Sequence, residues 1–155
     1  MAFATEREMV QSIIKSNYIE ELTASNRSLI KEEVGGFFGI PDIVVVINNA
    51  EKQLSYAYEA KLRNWKKAIF QAFRYKAFVD YSYVIMDHAH IKPALSKIEQ
   101  FERSNVGLMS IDDFGELVTY YAPFQETPYS PHTASRFNKM IINEICNQKP
   151  VQPKS

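Results

Sequence analysis

From Thr5 to Tyr18 the apolar residues Met9, Val10, Ile13 and Ile14 recur at the three-and-four spacing that lays one stripe along a helix. Thr5 stands where an N-cap is wanted, and Glu6 and Glu8 fall in the first turn, where the helix dipole favours acids. Gly35, Gly36, Gly39 and Pro41 interrupt that pattern before IPDIVVVI (40–47), a β-branched run that reads as buried strand. The polar NNAEKQ turns the chain back into LSYAYEAKL (54–62), a second strand, and Asn64 is placed to cap a helix through WKKAIFQAFRYKAFV (65–79). Strand and helix then alternate: SYVIMD (82–87), a helix over KPALSKIEQFERS (92–104) with Pro93 in its first turn, VGLMSID (106–112), and a short ELVTYY (116–121). This order predicts an α/β domain, a mixed sheet with helices on its faces. The core is expected over 1–122, with an irregular connector over 123–134 marked by Pro123, Pro128 and Pro131. A last helix begins at Ser135, its stripe of Phe137, Met140, Ile141 and Ile145 packing on the domain or on a partner, where it would build a homodimer, and the VQPKS end reads as frayed.

Composition narrows the partners. Hydrophobic residues are 46% and charged residues 23% of 155, an ordinary globular balance long enough for one self-sufficient core. No apolar run approaches the roughly 20 residues that span a bilayer, and Glu6, Arg7 and Glu8 precede any sustained apolar stretch. The expected location is the cytoplasm, with no membrane contact. A single cysteine, Cys146, makes neither an internal disulfide nor an iron-sulfur or thiolate zinc site, so a metal would use oxygen or imidazole ligands. Formal net charge is zero, so binding to nucleic acid would rest on a local basic patch.

The chemistry concentrates in YAYEAKLRNW (56–65). Side chains two apart on a strand share a face, so Glu59 and Lys61 stand side by side, about 6.6 Å apart along it. A turn centred between Ala50 and Glu51 pairs residues whose numbers sum to 101 and sets Asp42 opposite Glu59. Facing carboxylates destabilise a hairpin unless a cation lies between them. Mg²⁺ or Mn²⁺ suits that place, taking one or two carboxylates and completing its shell with water and phosphate oxygens, and the carbonyl between Glu59 and Lys61 offers a further oxygen. Lys61 is then positioned to orient the attacking water or to stabilise charge on phosphorus. The plainer alternative is a solvated strand pair in which Lys61 neutralises one acid.

Pro41-Asp42, a sixteen-residue gap, and Glu59-Ala60-Lys61 resemble the PD-(D/E)XK nuclease superfamily, with its aspartate on one strand and E-x-K on the next. Gln71 and Tyr75 resemble the Q-x-x-x-Y that RecB-type members carry on the following helix, and Glu6 in Glu6-Arg7-Glu8-Met9 resembles the first-helix glutamate of archaeal Holliday-junction resolvases. These marks cover Thr5 to Asp87. The resemblance implies a restriction-endonuclease-like fold and metal-dependent phosphodiester hydrolysis, with DNA as the expected substrate. It assigns Asp42, Glu59 and Glu6 to Mg²⁺ or Mn²⁺, Lys61 to the water and Gln71 to substrate orientation; Glu8 is the alternative to Glu6. The rival reading is a catalytically silent nucleic-acid-binding module of the same fold, a subunit of a larger complex.

A basic helix follows. Lys61, Arg63, Lys66, Lys67, Arg74 and Lys76 fall within a run that holds no acid, and Lys67, Gln71 and Arg74 share one helical face. Arg63, Lys66, Lys67, Arg74 and Tyr75 are the expected nucleic-acid contacts, with Trp65 and neighbouring tyrosines as base-stacking platforms. A solvated helix face and a core role for Trp65 and Phe73 are the plainer alternatives. His88 and His90 beside Asp87 have strand-like zinc spacing but stand where the strand ends, so a polar turn is expected. Neither a G-x-S-x-G elbow nor a phosphate-binding glycine loop is present.

Overall fold

Capping decides where the first helices begin and end. In a computed structural model, which describes residues 2–24, 27–49 and 52–147, the Thr5 side chain accepts from the Glu8 amide and opens α1, Glu6–Ile14. The helix expected to reach Tyr18 stops at Ile14, because the Ser16 hydroxyl binds the Ile13 carbonyl at 2.6 Å and accepts from the Ile19 amide, starting α2, Asn17–Thr23. A strand not foreseen follows: β1, Arg27–Glu32, whose one buried residue is Leu29. β2 is Ile43–Asn49 and β3 is Lys52–Lys61; the turn expected at Ala50 and Glu51 lies outside the described residues, as does the VQPKS end.

Asn64 caps α3, Trp65–Tyr75, by accepting from the Lys67 amide at 3.1 Å. α3 was expected to reach Val79; it ends at Tyr75, where the amides of Lys76, Ala77 and Phe78 bond three residues back and drive Phe78 and Val79 into the core. β4, Tyr81–Asp87, leads to a 3-10 turn over His88–His90, then to α4, Lys92–Leu95, and α5, Ile98–Ser104. These replace the one helix expected over 92–104, because Lys97 leaves the helical conformation at φ −121°. β5 is Gly107–Ile111, β6 is Leu117–Tyr121, and α6 is Pro131–Asn147, which starts four residues before Ser135 with Ser130 binding the Thr133 amide and hydroxyl.

The six strands form one mixed sheet in the order β1-β2-β3-β4-β5-β6, parallel at β3–β4 and β4–β5 and antiparallel elsewhere. Alternation along the strands divides the core. Val44, Val46, Ala57, Val84 and Met86 pack beneath α3, α5 and α6, while Ile43, Val45, Tyr58, Ala60 and Ile85 pack beneath α1 and α2. Phe137 and Ile141 of α6 are fully buried in the first of these layers, with Met140 and Ile145 against it, and Lys31 pairs with Glu144. The stripe thus lies on the chain's own domain; what α6 offers a second copy is Ile142, 53% exposed.

Candidate active site

β2 and β3 pair Ile43 with Tyr58 and Val44 with Ala57, the register whose numbers sum to 101. Continued one step, it brings Asp42 beside the end of β3. Asp42 crosses by its side chain: Oδ2 accepts from the Ala60 amide at 2.8 Å, and its carbonyl accepts from Glu33. Glu59, 3% exposed, holds the Tyr75 hydroxyl with Oε1 at 2.5 Å and has Oε2 3.9 Å from the Lys61 ammonium. That ammonium lies 3.8 Å from Glu6 Oε1, and Glu6 Oε2 accepts from the Leu62 amide at 3.1 Å. Glu6, Glu59 and Lys61 therefore meet at the carboxyl end of β3, joined there by Asp42.

Both central carboxyls hold their protons more tightly than usual. Glu59 is pushed up to about 7, first by burial and then by Asp42, against the opposing Tyr75 hydrogen bond and Lys61. Asp42 is also raised, by burial above all, with the Ala60 amide and Lys61 acting the other way. Burial raises the Tyr75 hydroxyl far above its usual range, so it stays a phenol and a donor. It faces two acceptors, Glu59 and the Ile40 carbonyl at 3.0 Å. With Glu59 ionised the phenol donates to it; with Glu59 protonated the carboxyl donates to the phenol, which turns to Ile40. Either way Tyr75 fixes the rotamer of Glu59.

Among the described residues no group of three or more His, Cys, Asp or Glu side chains forms a ready-made metal cage. Two hard oxygen donors with raised proton affinity, crowded in a poorly solvated corner, nevertheless fit a small divalent cation, which needs one or two carboxylates and fills its shell with water and phosphate. Asp42 and Glu59 would be its protein ligands, with Glu6 at the edge.

The remaining expected residues divide. Gln71, one turn before Tyr75 on the same face, has a buried amide oxygen with no hydrogen-bond partner. Arg63, Lys66 and Lys67 are exposed, and Arg74 is half-buried with its guanidinium 4.4 Å from the Phe38 ring centroid. Tyr75 needs correction as a nucleic-acid contact: it is 1% exposed, and its hydroxyl is committed to Glu59 and Ile40. Trp65, 8% exposed, packs toward Phe101, and Tyr58 is buried against Tyr83, so neither ring is free to stack on a base. Lys76 binds Glu126 and the Ser104 carbonyl. His88 lies in the turn after β4 with Nδ1 3.0 Å from Ser110 Oγ, while Asp87 accepts from the amides of Phe3 and Ala89.

The unforeseen β1 brings two acids that sequence reasoning missed. Glu32 and Glu33 line a cleft of about 220 Å³ together with Glu6, Arg7, Val10 and Asp42. Also missed was the packing of residues 34–41 over α3. Gly39, at φ +88°, leaves room for Tyr75: a Cβ there would stand 2.8 Å from Tyr75 Cε1. Gly39→Ala is expected to cost roughly 1 to 2 kcal/mol in urea unfolding, and Gly36→Ala, at φ +94° with open space around it, distinctly less. Equal losses would mean that backbone strain alone, and not the Tyr75 contact, governs the loop.

No protein-family model matches the chain, and no curated protein matches its sequence.

Proposed function

We propose that the chain is a divalent-metal-dependent nuclease of the PD-(D/E)XK type, with a restriction-endonuclease-like fold, acting on DNA in the cytoplasm. The observation that supports this most is the meeting of Asp42, Glu59, Lys61 and Glu6 at one strand end, with a phenol locking Glu59. Asp42 and Glu59 would hold Mg²⁺ or Mn²⁺, which would supply Lewis acidity toward the scissile phosphate and make water a better nucleophile near neutral pH. The chain's own groups do the rest. Lys61, its side chain 15% exposed, holds the attacking water and offsets the charge that develops on the phosphate oxygens. Glu6 anchors Leu62 and keeps the ammonium at the strand end. Gln71 turns its amide, whose oxygen has no partner, to the substrate, and Arg63 just before the neighbouring helix, with Lys66, Lys67 and Arg74 on it, would hold backbone phosphates. No helix among the described residues is long and apolar enough to cross a membrane.

The test is cleavage of labelled single-stranded, duplex and branched DNA with Mg²⁺ or Mn²⁺. The wild type is expected to cut at least one of them, and chelation to stop it. Tight binding without cleavage under either metal would make the chain a silent binding module instead.

A further inference from the structure

The solvent side of α3 carries aromatic rings among its cations. Phe70 is 66% exposed and Phe38, from the loop before β2, is 42% exposed. At roughly 100° per residue, the helix surface leading away from Tyr75 passes Gln71, then Lys67 and Arg74, then Phe70, with Lys66 beyond it. The Arg74 guanidinium covers one face of the Phe38 ring at 4.4 Å. Phe38 is two residues from Ile40, whose carbonyl holds the phenol that locks Glu59, so at most ~7 Å of backbone separates the Cα atoms of Phe38 and Ile40.

We propose that this strip is the track for single-stranded nucleic acid, with one base on the Phe38–Arg74 platform beside the metal site and another on Phe70. The proposal rests on the reading of the Asp42–Glu59–Lys61 cluster as a nuclease site and names its substrate class. The charge pattern selects the occupant. From Leu62 to Lys76 there is no acid, while Lys66 and Lys67 stand in solvent on either side of Phe70, which complements a phosphate backbone. The rings select the form of nucleic acid. Exposed phenylalanines on a convex helix find base faces on a single strand, whereas a duplex keeps its bases stacked inside and offers that helix only phosphates.

Binding of a labelled oligothymidylate and of a blunt duplex of equal length, measured by fluorescence anisotropy in EDTA, tests this without cleavage. The single strand is expected to bind more tightly than the duplex. Phe38→Ala and Phe70→Ala are each expected to weaken single-strand binding roughly 5-fold or more while leaving duplex binding alone. Lys66→Ala is expected to lower the salt slope for the single strand by about 0.7. Equal affinity for both forms, or phenylalanine variants within about 2-fold of wild type at unchanged circular dichroism, overturns the track. Self-association that Phe70→Ala abolishes, seen by light scattering without oligonucleotide, overturns it too and gives the patch to a second copy. Because EDTA removes the chemistry, a protein that binds the strand through Phe38 and Phe70 but never cuts it fails as a nuclease and keeps the track.

Discussion

Asp42→Asn is expected to lose Mn²⁺ affinity and cleavage together, whereas Lys61→Ala keeps the metal and loses turnover by at least about 100-fold. The difference follows from what each side chain touches. Asp42 Oδ2 takes the Ala60 amide, a bond that an asparagine oxygen can also accept, so the substitution leaves the strand end folded and removes only the negative charge. That charge would hold the cation and is the second cause of Glu59's raised proton affinity. Lys61 lies 3.9 Å from the Glu59 carboxylate and 3.8 Å from that of Glu6, and in the proposed reaction it would contribute positive charge to the attacking water and phosphate. Calorimetric Mn²⁺ titration paired with single-turnover cleavage separates the two roles. Lys61→Ala with a turnover close to wild type would leave the ammonium no part in the reaction. Lys61→Arg is expected to restore little, since a planar fork does not replace a compact point charge between two acids.

Glu59→Gln is expected to make the metal-free protein more stable at pH 8 and to flatten its stability between about pH 5 and pH 8. The sign follows from the direction of the shift. Glu59 has an ordinary value of 4.5 and about 7 in the folded chain, so folding favours the protonated form. The stability this contributes is complete below 4.5 and is lost as pH rises through about 7, where the carboxylate must ionise in a buried corner beside Asp42. The gap is worth roughly 3 kcal/mol at pH 8, an upper figure because Tyr75 and Lys61 relax around the charge. Glutamine carries no charge to bury and still accepts the Tyr75 hydroxyl. Asp42, raised in the same direction, leaves a smaller residual slope. Mg²⁺ is expected to stabilise the wild type at pH 8 and to do little for Glu59→Gln, as binding to the folded state alone requires. Denaturant titrations at pH 5, 6.5 and 8 measure this, and parallel curves for the two proteins would remove Glu59 from the pH response.

Local signals made much of the site legible in the sequence. A β-branched run, a polar turn and a second strand fix the β2–β3 register, and that register alone places Asp42 beside Glu59. Asn64 reads as a cap because its side chain competes for an amide three residues on, and it does so in the fold. The rest depends on contacts distant in sequence. RSLIKE has one buried residue and no alternation strong enough to announce β1, so nothing in the sequence placed Glu32, at its end, or Glu33, just past it. Ser16 and Lys97 break helices whose apolar spacing runs on past them. Tyr75 reads in the sequence as a nucleic-acid contact or, more plainly, as an aromatic at the core's edge, yet a loop some thirty-five residues earlier folds over it, burying the ring and lending it the Ile40 carbonyl. The same loop carries Phe38 to Arg74, so the exposed aromatics along the basic helix are Phe38 and Phe70 and not Trp65.

The most direct measurement is anomalous diffraction from crystals of the wild-type protein soaked in Mn²⁺ near pH 8. A peak about 2.1 Å from carboxylate oxygens of both Asp42 and Glu59 is the predicted result. A peak confined to the cleft between Glu32 and Glu33, or no peak at a concentration that supports cleavage, would contradict it.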